Sequence, residues 1–128
     1  LTFARAALPN SQLKKVDLVI IDDDELLLDT FSKFLFKGMV VDTYTNPHEL
    51  LDNIAKYAYE TKIAIDNNYK NSDLKGTDIA QKLHDIGYNN LYILSGENSE
   101  DIDCNDYATA LLKTDIDSIQ KILSKPTP

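Results

Sequence analysis

The stretch Val16-Asp17-Leu18-Val19-Ile20-Ile21-Asp22-Asp23-Asp24-Glu25 decides the fold. Its first six residues are apolar and mostly β-branched apart from Asp17, the pattern of a strand buried on both faces of a parallel sheet. The run then ends abruptly in four consecutive acids. Ionised carboxylates are too costly to carry on into a core, so the strand reaches the sheet edge at Asp22. Asp24 is placed to cap the helix that follows.

Outward from this stretch, strand-like and helix-like patterns alternate. Leu27, Leu28, Phe31, Phe34 and Leu35 recur at helical spacing, and Gly38 closes that helix. Met39 to Tyr44 reads as a second strand, and Asn46-Pro47 as a helix start with Asn as cap and Pro at the first helical position. The expected buried stripe of that helix is Leu50, Leu51, Ile54, Ala55 and Ala58. Lys62 to Ile65 forms a third strand running into Asp66, followed by a polar loop, Asn67 to Lys75, expected at the surface. Ile79, Ala80, Leu83 and Ile86 mark a third helix stopped by Gly87; Leu91 to Leu94 is a fourth strand ended by Ser95-Gly96.

From Glu97 to Asp106 there are five acids and little apolar content beyond Ile102 and Cys104, so any helix there is short, weakly anchored and expected to be the most mobile part of the domain. Ala108 to Leu112 reads as the fifth strand. Thr114 or Asp115 then caps a last helix with Ile116, Ile119, Ile122 and Leu123 on its core face. Strands alternating with helices imply a parallel sheet covered on both sides, because each right-handed crossover lays its helix over one face. The small solution is a flavodoxin-like, doubly wound (βα)5 fold with strand order 2-1-3-4-5, whose ligands bind at the switch point between strands one and three.

Composition narrows the function. With 128 residues and 43% hydrophobic content the chain suits one domain with a real core. A net charge of −8 excludes a surface that tracks nucleic-acid phosphates. Cys104 is the lone cysteine, which fits a reducing, cytoplasmic setting. No apolar run approaches the roughly 18 to 20 residues of a spanning helix, so no membrane contact is expected. The chain begins at Leu1, as a piece cut from a longer protein would; residues 1–15 read as a linker and residues 125–128 as a tail around a domain at 16–124.

Four strand ends carry Asp22 and Asp23, Asp66, Ser95 and Lys113. Singly each has a plain reading: a helix cap, a turn residue, a Ser-Gly turn, a surface lysine. Together they bring three carboxylates, a hydroxyl and an ammonium to one sheet edge. Several adjacent carboxylates stay ionised only with a cation beside them, and an all-oxygen set suits a hard ion such as Mg²⁺. His48 and His84 lie on expected helices without ligand partners, and the seven tyrosines read as core or interface residues rather than base-stacking ones.

The motifs VIIDDDE, KIAID, YILSG and ALLKT, in this order, resemble those of response-regulator receiver domains over about residues 16–124. The resemblance implies that Asp66 accepts a phosphoryl group from a phosphohistidine of a histidine kinase or phosphotransfer domain. It further implies that Asp22, Asp23, Asp66 and the Asn68 carbonyl hold Mg²⁺ (Mn²⁺ as a substitute), and that Ser95 and Lys113 contact the phosphoryl oxygens. The segment from Asn67 to Gly96 is similar to receivers attached to hybrid sensor histidine kinases, and LTFARAALP to the end of a kinase ATP-binding domain. Three departures stand out. Asp66 and Gly76 are ten positions apart, longer than the common spacing; Thr114 replaces the proline that often follows the lysine; Ala110 replaces a switching aromatic. Two other functions compete: an unphosphorylated pseudo-receiver, and a haloacid-dehalogenase-like phosphatase with Asp22 as nucleophile.

Overall fold

The computed structural model describes residues 12–70, 73–96, 102 and 106–124. Strand β1 (Leu18–Ile21) leads into helix α1 (Glu25–Thr30), which continues as a π-helical turn (Phe31–Leu35). Then come β2 (Val41–Tyr44), α2 (Pro47–Asn53) with a 3₁₀ turn (Ile54–Lys56), β3 (Ile63–Asp66), α3 (Gly76–Asp85), β4 (Leu91–Ser95), β5 (Thr109–Leu112) and α4 (Ile116–Leu123). All four strand pairings are parallel and the order is β2-β1-β3-β4-β5, the doubly wound topology expected. The expectation of a mobile segment at 97–106 falls, apart from Ile102 and Asp106, outside the described residues, as do Cys104, most of the expected linker and the tail.

Alternation along the strands divides the core in two. Val19, Ile21, Ile63, Ile65 and Ile93 face α2 and α3 with Leu50, Ile54, Ile79 and Leu83; Leu18, Ile20, Ala64, Leu94 and Leu111 face α1 and α4 with Leu28, Phe31, Ile119 and Leu123. β1 and β3 are buried along their whole length, as a central parallel strand must be.

Phe34 does not join the core as its spacing predicted: it is 75% exposed, and Phe36 is buried in its place. The Phe36 amide donates to the Phe31 carbonyl at 2.8 Å, a bond spanning five residues that adds one residue to the turn and rotates Phe36 inward. There it meets Phe31 edge to face at 6.0 Å. Burying a phenyl side chain contributes about 1.5–3 kcal/mol, enough to hold an otherwise rare turn. The stripe of α2 also ends early. Its helix tightens at Ile54, leaving Ala55 and Ala58 half-buried, and Tyr57 takes the next core position. Tyr57 donates to Asp42 at 2.6 Å, so its buried hydroxyl is satisfied. Ile116, in the first turn of α4, is 40% exposed rather than core.

Candidate functional site

Strand parity assembles the site. Asp66 continues the side of β3 that carries Ala64, Asp22 the side of β1 that carries Leu18 and Ile20, and Lys113 the side of β5 that carries Leu111. All three therefore project on the α1/α4 side at the carboxyl ends of the strands, across the switch point between β1 and β3. Lys113 Nζ lies 2.8 Å from Asp22 Oδ2 and 2.8 Å from Asp66 Oδ1. Asp22 is fully buried and Asp66 is 5% exposed. The other Asp22 oxygen accepts the Asp24 amide at 2.9 Å, and Asp24 in turn caps α1 by accepting from Leu26 and Leu27, as its position predicted.

Electrostatics follow from this burial. Desolvation lifts the Asp66 carboxyl above its ordinary value, the Lys113 ammonium draws it back, and the Asp22 and Asp23 carboxylates add to the rise. Burial alone would lower Lys113, but its bonds to Asp22 and Asp66 more than offset it, so the lysine is raised and stays charged. One ammonium thus serves two buried carboxylates. That leaves a net negative charge at the site, the condition in which a second cation binds.

Oxygen atoms of Asp22, Asp23 and Asp66 lie within 4.8 Å of one another. Such all-carboxylate donors, with room for water at an open cleft, fit Mg²⁺ or Mn²⁺. Asp23 is half-buried, and its Oδ2 accepts the Lys70 amide at 2.9 Å. Asn68 is exposed and lines the same cleft with Lys70, Gly96, Pro47 and His48. Ser95 is 1% exposed and adjoins Lys113 through the backbone, its carbonyl accepting the Lys113 amide at 2.7 Å. No peptide bond among the described residues is cis, including Lys113–Thr114.

The loop after β3 departs from the surface position expected of it. Asn67 and Tyr69 are buried, at 8% and 9% exposure, while Asn68 and Lys70 between and after them are exposed. The Asn67 amide donates to Leu94 and its carbonyl accepts the Gly76 amide, both at 3.0 Å. Tyr69 packs its ring in the larger core cluster and points its hydroxyl toward the Ile21 carbonyl at 3.5 Å, beside the acids. Burial, with Asp66, Asp22 and Asp23 nearby, pushes this phenol far up, so it is a neutral donor at any ordinary pH. α3 begins against the end of β3: a Cβ on Gly76 would lie 2.5 Å from the Asp66 carbonyl oxygen and 2.8 Å from Asn67 Cα. Only a glycine fits there.

Ala110 is half-buried against the core. An aromatic stands three residues earlier, where Tyr107 donates to the Thr77 carbonyl at 3.3 Å and lies 5.9 Å from the His84 ring. Sequence reasoning missed Tyr69, Asn67 and the Gly76 contact, because polar loop residues carry no periodicity to mark which of them turn inward.

No family model and no curated protein matches the chain. Among solved structures it is similar to a response regulator receiver domain protein from Clostridium thermocellum, at 20% identity and a TM-score of 0.65, over 83% of this chain and 89% of that one. It is also similar to an uncharacterized protein from Neptuniibacter caesariensis, at 18% identity and a TM-score of 0.64, over 83% of this chain and 85% of that one. The chain has the fold of the receiver domain it resembles, with its buried acids and lysine at that fold's ligand-binding edge.

Proposed function

We propose that this chain is a phosphoryl-accepting receiver domain of two-component signalling, with Asp66 as the acceptor. The observation that carries the reading is the Asp66 carboxylate at the β1/β3 switch point, ion-paired at 2.8 Å to a lysine that also neutralises Asp22. An Asp66 oxygen attacks the phosphorus of a phosphohistidine, supplied by a histidine kinase or phosphotransfer domain. The phosphorus–nitrogen bond breaks, and its electron pair leaves on the imidazole, which takes up a proton. Lys113 would balance charge on the transferred group, and Ser95 would donate to one of its oxygens. Asp22, Asp23, Asp66 and the Asn68 carbonyl would hold Mg²⁺, which when bound neutralises charge on the phosphoryl oxygens.

Asp22 suits this supporting role, because it is fully buried with one oxygen on the Asp24 amide and the other on Lys113. No helix among the described residues is long and apolar enough to cross a membrane. A cytoplasmic place within a hybrid kinase is part of the same proposal. Intact-mass measurement after incubation with acetyl phosphate and Mg²⁺ tests it. The parent should gain one acid-labile phosphoryl group and an Asp66→Asn variant none; equal gains in both would overturn the assignment.

A further inference from the structure

We infer that Tyr69 is a positioning residue for the cation ligands, a role that rests on the receiver reading above. The loop after β3 is otherwise exposed at its tip, with Asn68 and Lys70 both in solvent. Between them the Tyr69 ring is buried in the same cluster as Ile21, Ile65 and Ile79, below the ends of β1 and β3. Its two neighbours border the cleft that holds the acids. Asn68 lines the cleft, and the Lys70 amide grips Asp23 Oδ2 at 2.9 Å. One buried ring therefore fixes a residue that offers a candidate ligand and a residue that orients another.

The hydroxyl adds less than the ring. At 3.5 Å from the Ile21 carbonyl it is at the outer limit of hydrogen bonding, and its other polar contact is with the backbone of Asp66, on a strand the loop does not move. Phenylalanine should thus keep the anchor, and alanine should release it. With the ring gone, Asn67 would still be tied to Leu94 and Gly76, but the three residues after it would lose their attachment to the core. Groups that orient metal ligands typically alter affinity by about 10- to 100-fold when removed, and an effect at the lower end is expected, since Asp22 and Asp66 sit on strands the loop does not move.

The test is Mg²⁺ titration of the whole chain without any phosphoryl donor, followed by calorimetry and by the NMR shift of the Lys70 amide. Tyr69→Ala should weaken binding about tenfold, and the Lys70 amide should no longer respond. Tyr69→Phe should stay within about threefold of the parent, and Ile119→Val, a core change on the opposite sheet face, should leave the affinity unchanged. Parent-like affinity in Tyr69→Ala overturns the inference, as does an equal loss in Ile119→Val, which would mean stability alone is at work. An equal loss in Tyr69→Phe and Tyr69→Ala would overturn anchoring by the ring. A parent that binds no Mg²⁺ overturns the receiver reading itself and the inference with it.

Discussion

Gly76→Ala is expected to be among the most damaging single-methyl additions this domain can receive. The new Cβ would fall 2.5 Å from the Asp66 carbonyl oxygen, a contact no side-chain rotation relieves because the backbone fixes the Cβ and its neighbour is a main-chain atom. Either α3 lifts off the end of β3, breaking the Gly76 to Asn67 hydrogen bond, or β3 shifts and carries Asp66 with it. Overpacking of a rigid contact costs about 1–3 kcal/mol and more where nothing yields, so a loss at or above the top of that range is expected. Gly96→Ala is the matched control, since nothing lies within 4 Å of a Cβ there. Urea unfolding of the two variants checks this: equal midpoints would refute it. On the proposed function, phosphoryl uptake from acetyl phosphate should also slow in Gly76→Ala, because the Asp66 peptide moves.

Lys113→Met should have a comparable effect on stability. It removes the counter-charge of two buried carboxylates at once. Taking one partner from a buried ion pair typically costs about 3–5 kcal/mol; Lys113 is 26% exposed, which places the expected loss near the lower end.

The pH dependence identifies the cause. Asp66 has a folded pKa above 3.8, so the folded state binds its proton more readily than the unfolded one. Stability from this group therefore falls as pH rises through the folded value, and increases on acidification. Lys113 has a folded pKa above 10.5, so its contribution is complete below that value and is lost only in strong alkali. With methionine in its place Asp66 titrates higher still, and acid relieves more of the strain. The difference in unfolding free energy between parent and variant should narrow as pH falls from neutral into the acid range where Asp66 takes up its proton. A difference that stays constant would mean that lost packing, not an unpaired charge, is responsible.

Much of the site was legible because it sits where strands stop. The apolar run of β1 cannot continue into Asp22, nor that of β3 past Asp66, and the period of two then places Asp22, Asp66 and Lys113 on the same side. The loop was less legible. Tyr69 is a lone aromatic in a polar stretch and Asn67 carries no apolar group, so without periodicity only the packing against β1 and β3 separates these buried two from exposed Lys70. The glycine at position 76 entered the sequence reading only through its spacing from Asp66, because close approach of another backbone leaves no mark on the glycine's own neighbours. In the turn after α1 the three- and four-residue spacing from Phe31 placed Phe34 and Leu35 on the buried stripe; Leu35 packs against the core, but Phe36 takes the place expected of Phe34. The choice is made by tertiary contact with Phe31.

That same turn makes the helix unusual in how it should respond to a change in length. It holds one residue more than an α-helical path between Phe31 and Phe36 requires, so a shortened chain has a regular helix available to it. Deleting Lys33, whose ion pair with Asp29 is exposed and worth little, should let the Phe36 amide bond four residues back while both rings still point inward. Removal of Gln81 from the middle of α3 has no such slack: Leu83 would rotate away from the core and the domain should fail to fold. Thermal melts of the two deletions would show whether α1 is a place where this fold tolerates gain or loss of a residue without rebuilding its interior.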